Sequence, residues 1–221
     1  MNAFLAAWRK EALLQWRGRA QLGAVFVFGA TTLLLFSFGA GPDGTALRLL
    51  SPAFLWLAIL LASTLSLQES YRAELDHMAL EGQLLLPVPA AALYYAKALA
   101  NWLLLALLGV ALTPLLIVLF DAPLPAPVPM LAVLALGAGG LSAPGTLHAA
   151  MATRVRARGL LLPLLLFPLV VPVLIGSVRA THLILFGDPM NQLNSWLLLL
   201  LAFNLVFWSL CGVVYSAVVE D

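Results

Sequence analysis

Long apolar stretches separated by short polar segments run through the whole chain. A membrane-spanning helix needs about 20 mostly apolar residues, and six stretches have approximately that length or more. The pattern therefore predicts six transmembrane helices, at Ala20–Ala40, Pro52–Gln68, Ala98–Phe120, Val128–Thr153, Gly159–Val178 and Leu193–Val219. No repeat, low-complexity tract or linker divides them, so we predict one membrane domain over residues 1–221.

The composition supports this interpretation. Hydrophobic residues make up 63% of the 221 positions and charged residues only 10%, whereas soluble domains have roughly 45–50% and 25%. A soluble fold of this length could not cover so much apolar surface. We therefore predict an all-α polytopic membrane protein, which excludes a soluble enzyme and a nucleic-acid-binding protein. The single cysteine, Cys211, cannot form an internal disulfide or a thiolate metal cluster.

The charged residues all fall outside the predicted spans, and the basic ones are distributed unequally. Nine of the eleven basic residues lie on one side: Arg9, Lys10, Arg17, Arg19, Arg72, Lys97, Arg154, Arg156 and Arg158. Only Arg48 and Arg179 lie on the other side. By the positive-inside rule, both termini face the cytoplasm and the Arg179–Asn191 loop faces outside. The absence of acids and bases within the spans argues against an ion-driven pump.

The N-terminal segment, residues 1–19, has the pattern of an interfacial helix. Leu5, Trp8, Ala12 and Trp16 recur at three- and four-residue spacing, with basic residues between them. Such a helix places its apolar face in the membrane interface and its cations near the headgroups. Alternatively, the segment is a positively charged anchor that only sets topology.

The segment between the second and third spans is the most acidic part of the chain, with four of the ten acids. Apolar residues lie among these acids, a pattern typical of a short amphipathic helix on the membrane surface. Prolines at the end of the segment would terminate that helix and turn the chain into span three. The alternative is a solvated polar loop. The candidate coupling residues are Arg72, Glu74, Leu75, Asp76, Met78, Glu81, Leu84, Leu85, Pro87 and Pro89.

Spans four and five carry unusual backbone residues. Small side chains in span four, at Gly137, Gly139, Gly140, Ser142, Ala143 and Gly145, permit close helix approach. Three prolines in span five each remove a backbone hydrogen bond, which predicts a bent or partly broken helix. This irregularity is either static packing or a hinge. The candidate hinge residues are Pro144, Gly145, Pro163, Pro168 and Pro172.

No catalytic or metal site is evident. The chain has no GxxxxGK[ST] motif, so it lacks the usual phosphate cradle for ATP. His77, His148 and His182 are scattered over a loop, a helix and an external loop. We interpret His148 as a packing residue and His182 as a surface residue, although a haem ligand is conceivable at His182. Asn204 in span six is expected to hydrogen-bond across helices.

Two stretches carry a family resemblance. Residues 80–89 (LEGQLLLPVP), followed by Lys97, resemble the second cytoplasmic segment of ABC-2-type permeases, which docks on a separate ATPase as a coupling helix. Residues 142–176 are similar to the cytochrome c maturation protein B (CcmB) family. The shared features are the Ala143-Pro144-Gly145 break, the basic turn ending in Gly159 and the three prolines of span five.

The resemblance implies an ABC-2 or type V exporter-like permease with an interfacial helix and a cytoplasmic coupling helix. It also implies a multi-pass protein of the bacterial inner membrane that is not itself an enzyme and binds no cofactor directly. Haem and ATP would be handled by partners: an ATPase subunit (CcmA), a haem-handling membrane protein (CcmC), a small membrane protein (CcmD) and a haem chaperone (CcmE). The permease would be a homodimer within the complex.

In this family, ATP hydrolysis releases the haem-loaded chaperone. Two alternatives remain open: an ABC-2 permease that exports a lipid, glycan or drug, and a passive scaffold for haem-handling subunits. Neighbouring genes for glycan synthesis would favour the former.

Overall fold

The computed structural model describes residues 3–17, 19–39, 44–76, 89–123, 125–153 and 158–220. Within these ranges the chain forms helices and no strands, as the apolar pattern predicts. The described helices are α1 (Ala3–Arg17), α2 (Arg19–Gly39), α3 (Gly44–Asp76), α4 (Ala90–Phe120), α5 (Pro127–Thr153), α6 (Arg158–Phe186) and α7 (Leu193–Glu220).

Six of these helices, α2 to α7, are long and apolar enough to cross a membrane. The prediction of a polytopic protein with six spans is therefore confirmed. The apolar stretches are Leu22–Gly39, Gly44–Gln68, Ala90–Phe120, Pro127–Ala152, Leu166–Phe186 and Leu193–Ser216.

Several helices extend beyond the predicted spans, so some charges that were predicted to lie in loops lie inside helices. Arg48, Lys97 and Arg179 lie inside helices α3, α4 and α6 rather than in loops. Helices can carry such residues because long basic side chains reach the interface or a buried partner. Arg48 forms an ion pair with Asp121. The predicted Arg179–Asn191 loop is therefore shorter, since α6 continues to Phe186.

Helix α5 lies at the centre of the fold and packs against α3, α4, α6 and α7. Its apolar stretch is 78% buried, against 22% for that of α2 and 17% for that of α7. The helix is rich in glycine, alanine and serine, and small residues let neighbouring backbones approach closely. The peripheral α2 and α7 expose large apolar side chains instead, as expected of helices that face lipid.

The small-residue face of α5 packs closely against three other helices, as predicted. A Cβ atom built on Gly140 would lie 2.7 Å from Val173 Cγ2, and one built on Gly145 would lie 2.5 Å from Leu67 Cδ1. A Cβ on Gly137 would collide with the indole ring of Trp56. A larger residue at Gly137 would have to displace the Trp56 ring, whereas at Gly140 and Gly145 it would have to displace the ends of the Val173 and Leu67 side chains.

Helix α1 packs along α4 and has little contact with α2, which follows it in the chain. It forms the helix that the N-terminal periodicity predicts. One side faces α4 through Glu11, while Leu5, Leu13 and Leu14 are exposed. Its placement at the membrane interface stays a prediction.

Candidate functional site

The predicted coupling residues fall around the junction between α3 and α4. Helix α3 continues without interruption to Asp76. Arg72, Glu74, Leu75 and Asp76 therefore extend the second spanning helix rather than form a separate helix. Pro89 directly precedes the first turn of α4, where its carbonyl accepts a hydrogen bond of 2.9 Å from the Ala92 amide. The remaining candidates, Met78, Glu81, Leu84, Leu85 and Pro87, lie outside the described residues.

Lys97 joins three helices beside this junction. Its Nζ lies 3.2 Å from Glu11 Oε2 on α1, and 3.4 Å from the carbonyl oxygen of Ser70 on α3. The Lys97 and Glu11 side chains are only 6% and 9% exposed. The other carboxylate oxygen of Glu11 lies 3.3 Å from Lys10 Nζ. Both oxygens of a buried carboxylate are thus matched by cations, as burial of a charge requires.

The sequence interpretation missed this cluster because it placed Lys97 in a loop and found no buried charge. Two signals pointed to it. An uninterrupted run of helix-forming residues starts directly after Pro89, so a helix from Ala90 includes Lys97. In addition, Glu11 is the only acid among the first 42 residues, which makes it conspicuous in an otherwise basic segment.

A line of hydrogen bonds continues from α4 into α5. Ser142 Oγ donates to the carbonyl oxygen of Ala98 at 2.6 Å, and Asn101 Nδ2 donates to Thr146 Oγ1 at 3.1 Å. Both bonds are buried, and the α5 residues that form them, Ser142 and Thr146, flank Pro144 and Gly145 in the sequence. The proposed hinge is therefore tied to α4 one turn or less beyond the Lys97 cluster.

The helices that carry the candidate hinges are continuous. Helix α5 runs through Pro144 and Gly145, so the predicted Ala143-Pro144-Gly145 break is not present. Helix α6 likewise runs through Pro163, Pro168 and Pro172, so the helix is not partly broken, and the alternative of a bent helix stays a prediction. Pro168 and Pro172 are four residues apart and exposed. They therefore share one exposed face of α6.

A second polar network joins α5 to α7. Asn204 Nδ2 donates to the carbonyl oxygen of Leu136 at 2.8 Å, which confirms the expected interhelical bond. Trp208 Nε1 donates to the carbonyl oxygen of Gly139 at 3.2 Å. These bonds hold the peripheral α7 to the central helix at the point where the glycines allow close approach.

The histidines of the described part of the chain are dispersed. His148 Nδ1 lies 2.7 Å from the carbonyl oxygen of Pro144, one turn earlier in its own helix. The His182 ring contacts the Phe186 ring with a centroid separation of 4.9 Å. His77 lies outside the described residues. Among the described residues, no three His, Cys, Asp or Glu side chains come together as metal ligands would.

An apolar cleft lies between α1, α2 and α4. Its volume is about 460 Å³, and its walls include Leu22, Phe26, Leu104 and Leu107, with Gln15 as the polar residue. Among the described residues that line the cleft, none is an axial ligand of the kinds that bind haem iron, and none is a cation that could pair with a propionate.

The comparisons with known proteins agree on one family. The sequence pattern described as CcmB protein matches residues 2–220. Heme exporter protein B of Pseudomonas aeruginosa is 37% identical over 204 residues, which cover 92% of each chain. Heme exporter protein B of Rhodobacter capsulatus is 36% identical over 79% of each chain, and that of Bradyrhizobium diazoefficiens is 34% identical over 86%. The chain belongs to the CcmB protein family.

Proposed function

We propose that this chain is the membrane subunit of an ABC transporter-type complex for c-type cytochrome biogenesis. A separate ATPase subunit (CcmA) hydrolyses ATP, and the resulting motion releases the haem-loaded chaperone (CcmE). The observation that carries this proposal is the match of residues 2–220 to the CcmB family. The lack of an ATP-binding motif anywhere in the sequence supports a motor on another polypeptide.

The proposed complex contains further subunits. A haem-handling membrane protein (CcmC) and a small membrane protein (CcmD) accompany two copies of this chain. The chain itself is not an enzyme, and haem and ATP are bound by its partners. The distribution of basic residues supports an inner-membrane protein with both termini in the cytoplasm.

The role of this subunit in haem handling is mechanical. Among the described residues, no three His, Cys, Asp or Glu side chains come together, and His148 and His182 each contact a residue of their own helix. The buried cation of the described spans, Lys97, already pairs with Glu11, so it does not serve a propionate. ATP-driven motion at the coupling segment instead moves the spans, and this changes their contacts with the haem-handling partner. Such motion has an effect only if the partner binds the two states differently.

The segment of residues 72–89 is the proposed dock for the ATPase. Loss of a buried anchor side chain or a charge pair at a protein interface commonly weakens the free energy of binding by about 2 kcal/mol or more. We therefore expect Glu81→Lys and Leu84→Asp each to release the ATPase while the subunit remains inserted. The measurement is co-purification of the ATPase with the affinity-tagged subunit from detergent-solubilised membranes.

Glu220→Lys is the matched control, since it reverses one acid at the opposite end of the chain. This control should retain the ATPase. Normal retention of the ATPase by both Glu81→Lys and Leu84→Asp would reject the segment as the dock.

A further inference from the structure

The ion pair between Glu11 and Lys97 lies at the base of the proposed dock. Ser70 is six residues before the end of α3, and Lys97 is seven residues after the start of α4. With a rise of about 1.5 Å per residue, the Lys97–Ser70 contact lies about 10 Å inside both helix ends. Lys97 thus connects the two helices that flank residues 77–88, at nearly equal depth, and Glu11 attaches α1 to the same point.

A buried ion pair is weak evidence for stability, because apolar residues of similar size often hold two helices as well or better. Its better-attested effect is to specify register, since each charge can be buried only where its partner lies. The pair therefore defines which point of α1 meets α4.

From this geometry we infer that Glu11 and Lys97 are positioning residues, which set the register of α1 at the base of the ATPase dock so that α1 and α4 move as one unit. This inference rests on the proposed function and assigns the N-terminal helix a role in it. Ser70 contributes by accepting a hydrogen bond from the same ammonium group.

The test uses charge reversal in the complete complex. Glu11→Lys and Lys97→Glu each bring like charges together, and we expect c-type cytochrome formation per inserted subunit to fall about tenfold or more. The double variant Glu11→Lys with Lys97→Glu restores opposite charges, so it should recover much of the loss. Recovery should be incomplete because the Ser70 carbonyl would then face a carboxylate.

Two milder variants keep the test informative where a reversed charge prevents insertion. Lys97→Arg retains the cation and should form near-normal amounts of cytochrome. Lys97→Met removes the cation and should lower the yield of cytochrome per ATP hydrolysed, a ratio that simple loss of protein does not change. The matched control is Arg9→Gln, which removes an exposed cation of the same helix α1 and should leave this ratio unchanged.

Equal loss in the double variant and the single variants would overturn the inference, as would a fall in cytochrome that only follows a fall in inserted subunit. An unchanged yield per ATP in Lys97→Met would overturn it as well. The proposed function is tested separately by Glu81→Lys and Leu84→Asp. If those two variants release the ATPase while Lys97→Met forms the normal amount of cytochrome per ATP hydrolysed, only the positioning role is rejected.

Discussion

The hydroxyl of Tyr94 on α4 donates a hydrogen bond of 3.0 Å to the carbonyl oxygen of Ala143, the residue before Pro144 on α5. Both residues are fully buried. Pro144 has no N–H, so the helix lacks one backbone bond at this point. Tyr94 thus holds α5 from outside within one turn of the Gly140 carbonyl, which Pro144 leaves without its backbone donor.

Replacement of Tyr94 by phenylalanine should destabilise the contact between α4 and α5. The loss of one buried hydrogen bond costs about 0.6–1 kcal/mol in membrane and soluble proteins. The free energy of unfolding, measured by denaturant titration of the purified subunit in detergent, should fall by that amount. Tyr95→Phe is the control, since its longer, half-buried bond of 3.2 Å to the Trp208 carbonyl should matter less. A larger loss in the control would contradict the assignment.

An alanine at Gly137 should destabilise the core. The added methyl group would meet the Trp56 ring and approach Ser177 Oγ at 2.7 Å. The ring cannot easily move, because Trp56 Nε1 donates a 2.9 Å bond to Thr181 Oγ1. Overpacking of this kind costs about 1–3 kcal/mol, measurable by the same titration.

Gly23→Ala provides the matched control for this substitution. Apart from the backbone of its own helix, no described atom lies within 4 Å of a Cβ built there, so alanine should be neutral or stabilise the helix by up to about 1 kcal/mol. Equal destabilisation by the two alanine substitutions would show that close packing is not the reason why position 137 requires glycine.

The loop before α7 should make stability depend on pH in the acid range. Asp188 accepts hydrogen bonds of 2.8 Å from the backbone amides of Leu193 and Gln192. These amides, chiefly that of Leu193, hold the pKa of Asp188 below its ordinary value of 3.8. The unfolded chain therefore binds the proton more readily, so the carboxylate stabilises the fold above that value and the effect disappears as pH falls through the lower folded pKa.

Asp188→Ala should accordingly lower the thermal unfolding midpoint at pH 7, and the difference from the wild-type protein should shrink as the pH falls below 3.8. Thermal scans in detergent across this range provide the measurement. A difference that is independent of pH would mean that ionisation of Asp188 contributes nothing.

The proposed orientation can be tested by cysteine labelling in intact cells. Met190 is 75% exposed in the loop between α6 and α7. The thiol of the Met190→Cys variant should therefore react with a membrane-impermeant reagent. The background is Cys211→Ala, which removes the buried native thiol. Leu5 on α1 is 51% exposed, and the thiol of the Leu5→Cys variant should react with the same reagent only after cell lysis. The reversed pattern would place both termini outside.

The mechanical role predicts that the histidines are dispensable for haem handling. Joint replacement of His77, His148 and His182 by alanine should leave c-type cytochrome formation near normal. His148 bonds within its own helix and His182 packs on Phe186, so neither is poised to ligate iron. Complete loss of cytochromes, with the complex assembled and hydrolysing ATP, would indicate direct haem handling by this subunit.

Some of these features could be predicted from the residues alone. The six spans follow from apolar length, because transfer into lipid is nearly additive along a local stretch. The close approach at Gly137 and Gly140 and the interhelical bond of Asn204 also follow from residue type. The coupling role of the residues from Arg72 to Pro89 stays a prediction, and so does the assignment of the side rich in basic residues to the cytoplasm.

Other features depend on packing between distant parts of the chain. Pro144 and Pro168 suggest broken helices, yet both helices continue, since neighbouring helices and an outer face accommodate what proline removes. The sequence predicts that Lys97 lies in a loop, whereas in the structure α4 begins at Ala90 and includes Lys97. Its partner Glu11 is 86 positions away, and no periodicity relates the two. Only the packing of α1 against α4 decides their pairing, because a buried charge is tolerated only where the folded chain brings an opposite charge within about 4 Å.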